Sequence, residues 1–136
     1  MSPIRRGTNK IIGLCLLCLF VAAIAGCLII KPDPDVKIAP EVEPHPPRVG
    51  PVTITVRVTQ ISTGKPITGA NVRLAGNMSH AGMVPVLGEA PEVEPGLYRT
   101  NMTFTMAGDW SLSVYVTLRE GLHVDRQFEI KGVAPA

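Results

Sequence analysis

The stretch Gly96–Leu118, GLYRTNMTFTMAGDWSLSVYVTL, decides the fold. Tyr98, Thr100, Met102, Phe104 and Met106 fall on one face at a period of two, and Arg99, Asn101, Thr103 and Thr105 fall on the other. Ala107-Gly108-Asp109 interrupts the run; Trp110, Leu112, Val114, Val116 and Leu118 then resume it opposite Ser111, Ser113 and Thr117. Sustained alternation in aromatic and β-branched residues predicts two half-buried antiparallel strands joined by a tight corner. Trp110, the only tryptophan, is the expected core anchor.

Working outward, Val52, Ile54, Val56 and Val58 alternate with Thr53, Thr55, Arg57 and Thr59, which reads as a first strand with one buried face. Ser62-Thr63-Gly64-Lys65-Pro66 reads as a turn, after which Ala70, Val72 and Leu74 point inward. Short apolar pieces at Val84–Leu87 and near Val93 follow, and Leu122–Ile130 supplies a last strand. About seven short strands with turn residues between them and no helical pattern predict an all-β, Ig-like Greek-key sandwich. It is expected over residues 51–131, with a tail at 132–136.

Residues 11–30 form an uncharged apolar run preceded by Arg5, Arg6 and Lys10. Its length suits a membrane helix, and basic residues before it place the remainder outside the cytoplasm. Ile24-Ala25-Gly26-Cys27 also resembles a bacterial lipobox, which would put a lipid on Cys27, yet Leu28-Ile29-Ile30 is apolar where a polar tether is usual. A lipoprotein signal and an uncleaved transmembrane anchor both stay open. Either one locates the chain at a bacterial cell membrane, with the domain on the extracytoplasmic side. From residue 31 to 50 prolines and charges dominate, which predicts an extended polyproline II linker of up to about 60 Å.

Residues 31–136 carry ten basic and eleven acidic side chains, a balance without the footprint expected of a nucleic-acid binder. All three cysteines (Cys15, Cys18 and Cys27) lie in the apolar run, so the domain has no disulfide, thiolate metal site or cysteine nucleophile. Its imidazoles are His80 and His123, with His45 in the proline-rich segment. There is no nucleophile elbow or phosphate-cradling loop, and Glu89, Glu92 and Glu94 read as a solvated acidic edge. The expectation is a protein that is not an enzyme. Asn77-Met78-Ser79 and Asn101-Met102-Thr103 match the glycosylation pattern, which a bacterial start makes a coincidence.

Apart from Met1, every methionine lies between positions 78 and 106. Met78, His80 and Met83 share one glycine-containing loop, and Met102 and Met106 lie on or beside a neighbouring strand. Thioethers with imidazole suit Cu(I), a soft ion, and tolerate an oxidising compartment. Met102 and Met106 fit equally well as fillers of core gaps.

Three stretches, Thr63-Gly64-Lys65-Pro66-Ile67-Thr68-Gly69-Ala70-Asn71-Val72, Pro95-Gly96-Leu97-Tyr98 and Met106-Ala107-Gly108-Asp109-Trp110-Ser111-Leu112, resemble the YtkA-like/FixH-like domain family. The resemblance implies a small membrane-anchored β-sandwich, and in some relatives copper delivery to haem–copper oxidase assembly. By position it puts a ligand site at Met78, His80, Met83, Met102 and Met106, with Cu(I) as cargo and a copper-accepting membrane or extracytoplasmic protein as partner. The competing expectation is a metal-free interaction or structural module on the membrane surface.

Overall fold

The structure, a computed structural model, describes residues 34–80 and 82–136. The apolar run and Cys27 lie outside the described residues. The strands are β1 (Val36–Glu43), β2 (Gly50–Gln60), β3 (Asn71–Asn77), β4 (Val86–Ala90), β5 (Glu92–Glu94), β6 (Leu97–Phe104), β7 (Gly108–Thr117) and β8 (His123–Val133). They form two four-stranded sheets, ordered β1-β2-β6-β5 and β4-β3-β7-β8, with every strand pairing antiparallel. The first order is that of one immunoglobulin sheet; the second is its partner sheet with an added edge strand. The expected sandwich is present, with eight strands.

The decisive stretch supplies β6 and β7, one central strand in each sheet. Tyr98, Met102 and Phe104 from β6 face Trp110, Leu112, Val114 and Val116 from β7 across the interior, all of them buried. Phe104 and Trp110 stack at 4.7 Å where the two strands meet at their corner. Such a stacked ring pair adds to the stabilisation that each aromatic gains from burial.

The proline-rich segment differs from its expected form. Residues 36–43 are a full strand of the first sheet, paired along their whole length with β2 from Val36↔Gln60 to Glu43↔Thr53. The reason is a period of two hidden among the prolines. Val36 and Ile38 are buried and Val42 packs against the core. Burying Val36 and Ile38 contributes about 1.5–3 kcal/mol each. Pro40 lacks a ladder donor, but β1 is an edge strand, where that loss is tolerated. Pro44-His45-Pro46-Pro47 makes the turn into β2. The sandwich therefore starts some fifteen residues before the expected boundary, and no twenty-residue spacer precedes it. At the other end β8 runs on to Val133, and Ala134 bridges Arg48, so most of the expected tail belongs to the fold.

Candidate functional site

Strand register sorts the loops into two poles. At one pole lie the β1–β2 turn, the β3–β4 loop, the β6–β7 turn and the end of β8. The β6–β7 turn is held by its own stretch of sequence: the Trp110 indole N–H donates to the Met106 carbonyl at 2.9 Å. The next turn residues are fixed as well, because the Gly132 amide donates to the Asp109 carboxylate at 2.8 Å. Asn77, the last residue of β3, pairs with Ser111, which carries Met78 one step further, onto the β6–β7 turn. There the Met78 methyl carbon lies 3.0 Å from where a Cβ on Gly108 would stand. The β3–β4 loop then turns back on itself, with the Met83 amide donating to the His80 carbonyl at 3.4 Å.

The five expected ligands divide. Met78 and Met83 are half-buried against the core margin, His80 is exposed, and Met106 is 46% exposed on the adjacent turn. These four share one pole. Met102 does not join them: it is 4% exposed, and its sulfur lies between the sheets, 3.3 Å from where a Cβ on Gly88 would stand. It fills the gap left by Gly76 and Gly88, the packing role open to it from the sequence. Alternation puts Met106 on the same strand face as Met102, but β6 stops at Phe104, so Met106 falls in the turn. Among the described residues no three His, Cys, Asp or Glu side chains gather as a metal site. An ion held at this pole would therefore depend on thioethers, with His80 as the one imidazole in the loop.

The opposite pole collects the β2–β3 loop, the β5–β6 turn, the β7–β8 loop and the start of β1. It is dense in hydrogen bonds. The buried Tyr98 hydroxyl donates to the Ile67 carbonyl at 2.8 Å and accepts from the Ala70 amide at 3.0 Å. Burial raises the Tyr98 pKa above that of an exposed phenol, which keeps the hydroxyl proton available as a donor. Glu92 accepts from the Gly96 amide at 3.1 Å and from the Gly69 amide at 3.3 Å. Those bonds, Gly96 foremost, hold its carboxyl below the usual range, with Arg119 adding a nearby positive charge. Gly96 has φ +73°, and a Cβ there would stand 2.5 Å from Pro66. At Gly69 the Arg119 guanidinium occupies the space a side chain would need.

Two of the three stretches that carry the family resemblance thus meet here, as parts of a loop clamp. Composition alone puts Glu92 on a solvated acidic edge, and its part in the clamp shows only in the structure. The available signal is its place four residues before Gly96, in a short segment bounded by Pro91 and Pro95. His123 is also at this pole, exposed and paired with the Thr117 hydroxyl at 3.0 Å, far along the sheet from the methionine loop.

Comparison with known proteins gives one family: the profile described as YtkA-like matches residues 33–115, more than half of the chain. The match begins just before β1 and so takes in the strand that the proline-rich composition concealed. A search of curated proteins found no significant match. Among solved structures, the crystal structure of an engineered protein aligns at TM-score 0.45 with 16% identity, covering 74% of this chain. This chain spans only 20% of that one. The PmoD soluble domain from Methylocystis sp. ATCC 49242 (Rockwell) aligns at TM-score 0.46 with 13% identity, covering 71% of this chain and 89% of that one.

Proposed function

The chain belongs to the YtkA-like family, and from that premise we propose that it is a membrane-tethered, extracytoplasmic carrier that takes Cu(I) as cargo on Met78, His80, Met83 and Met106. One observation carries the reading: strand register delivers the Met78–Met83 loop and the Met106 turn to the same pole, with Met78 lying against Gly108. Thioethers bind Cu(I) through soft, neutral sulfur, and no proton has to leave when the ion arrives. His80 adds a firmer donor, and its exposure suits an ion that must be passed on. The role needs no general acid, base or nucleophile, so the proposal is a non-enzymatic protein. Its partner is a copper-accepting protein of the same compartment.

The test is a titration of Cu(I) into the whole chain in detergent micelles, against a chromophoric chelator. The expected result is competition by the parent that the Met78→Leu/Met83→Leu pair weakens at least tenfold. Met102→Leu should leave the affinity unchanged. Failure of the parent to compete ends the carrier reading.

A second reading, a metal-free interaction module, is favoured by one surface. On the outer face of the second sheet, Leu87 and Tyr115 stand exposed beside Ala75 and Arg73, around a shallow cleft of about 410 Å³. If the parent takes no copper, this face becomes the place to look for a protein partner.

A further inference from the structure

The chain enters the sandwich at a fixed point. Asp35, just before β1, is fastened to the β2–β3 loop: the Ser62 amide donates to its carboxylate at 2.8 Å and the Ser62 hydroxyl donates to the other oxygen. The Ile61 amide donates to the Asp35 carbonyl at 3.4 Å. This entry lies at the clamped pole, remote from the methionine loop. Two large apolar side chains stand exposed around it. Ile61, 62% exposed, is on the loop that holds Asp35. Leu122, 41% exposed, belongs to the β7–β8 loop and lines the same small cleft as Asp35 and Gln60.

Single exposed apolar residues are ordinary. What distinguishes this pair is the length of chain between it and the apolar run. From Ile30 to Asp35 there are five residues, which fully extended reach at most about 18 Å. If Cys27 carries the lipid there are eight, reaching at most about 29 Å. The headgroup layer on each side of a bilayer takes up about 5–8 Å of that reach. Asp35 can therefore stand at most about 13 Å beyond the headgroups in the first case and about 24 Å in the second.

We propose that this pole is a membrane-contact surface, with Ile61 and Leu122 seated in the headgroup–acyl boundary of the bilayer that holds the N-terminal segment. The Met78–Met83 loop is at the other pole of the sandwich, about 35 Å away along an eleven-residue strand. Lys65 and Arg119 at this pole are offset by Asp35, Glu92 and Glu120, so apolar contact dominates and anionic lipid adds nothing. The inference rests on the membrane tether in the proposed function, and the experiment separates the two.

The full chain is reconstituted in phosphatidylcholine vesicles containing acyl-brominated phosphatidylcholine, as the parent and as single Ile61→Trp, Leu122→Trp and Val84→Trp variants. Trp110 is buried and gives a constant background. The added emission of the Ile61→Trp and Leu122→Trp variants should shift to shorter wavelength and be largely quenched. That of the Val84→Trp variant, at the far pole, should keep its emission in water. A parent that does not float with vesicles on a density gradient overturns the tether and this inference together. A parent that floats while all three variants stay unquenched, or while only Val84→Trp is quenched, leaves the tether standing and overturns the contact surface.

Discussion

The two poles of the sandwich differ in what their residues do for a living chain. At the clamped pole, Tyr98, Glu92, Gly69, Gly96 and Arg119 hold three loops together through backbone amides and carbonyls. At the methionine pole, the β6–β7 turn is held by Trp110 and Asp109, while among the described residues of the β3–β4 loop the Met83 amide donates to the His80 carbonyl at a long 3.4 Å. The side chains of the first pole are spent on folding; at the second, His80 and Met106 are exposed and Met78 and Met83 are half-buried. Residues that identify the family and residues that could carry its chemistry are therefore largely different sets. Similarity at the first says little about activity at the second.

This division can be broken most severely at Gly96. Gly96→Ala puts a Cβ at a left-handed position and against Pro66, and about 1–3 kcal/mol for each of those two effects is the expected loss. Chemical denaturation reads it, and a variant as stable as the parent would mean that the clamp does not hold the loops. Tyr98→Phe is gentler, keeping the ring but leaving the Ile67 carbonyl and the Ala70 amide without their partner, at about 1–3 kcal/mol. Both variants, measured while folded, should retain the parent's Cu(I) affinity.

The methionine pole should behave the other way round. Met78→Leu/Met83→Leu should shift stability by less than about 1.5 kcal/mol per site, as volume-conserving swaps do, while losing affinity. If the pair unfolds the domain instead, the loop is structural and the contrast between the poles disappears.

The smallest effect is a pH dependence confined to the clamped pole. Hydrogen bonding, from the Gly96 amide foremost, depresses the Glu92 pKa below its ordinary 4.5. The Ser62 hydroxyl does the same for Asp35 below 3.8. A carboxyl depressed in the folded state stabilises fully above its unfolded pKa, and that contribution is lost as the pH falls through the folded value. Melting temperatures taken down through the carboxylate range should fall, and Glu92→Gln should flatten the fall. Both groups are solvent-exposed, so the change is modest.

How much of this was legible in the sequence varies with position. β6 and β7 are central strands with one face in the core, so their alternation is unbroken and the corner between them is plain. β1 was hidden because Pro40, Pro44, Pro46 and Pro47 read as a linker, and only its edge position lets a proline sit inside a strand. The loop grouping of Met78, His80 and Met83 follows from adjacency alone. The parting of Met102 from Met106 does not, because a period of two cannot reveal that the strand ends at Phe104. Glu92 was missed because it binds the backbones of a remote loop and its own turn, which no local pattern records.

The place of β1 has a practical consequence for anyone trimming the chain. A fragment starting at Gly50 keeps every methionine after the first, yet it uncovers the eleven-residue β2, in which Val52, Ile54, Val56 and Val58 alternate with threonines and Arg57. A bare edge of that length is a template for strands from other molecules. Self-association of such a fragment would reflect the missing strand and say nothing about how the intact protein assembles.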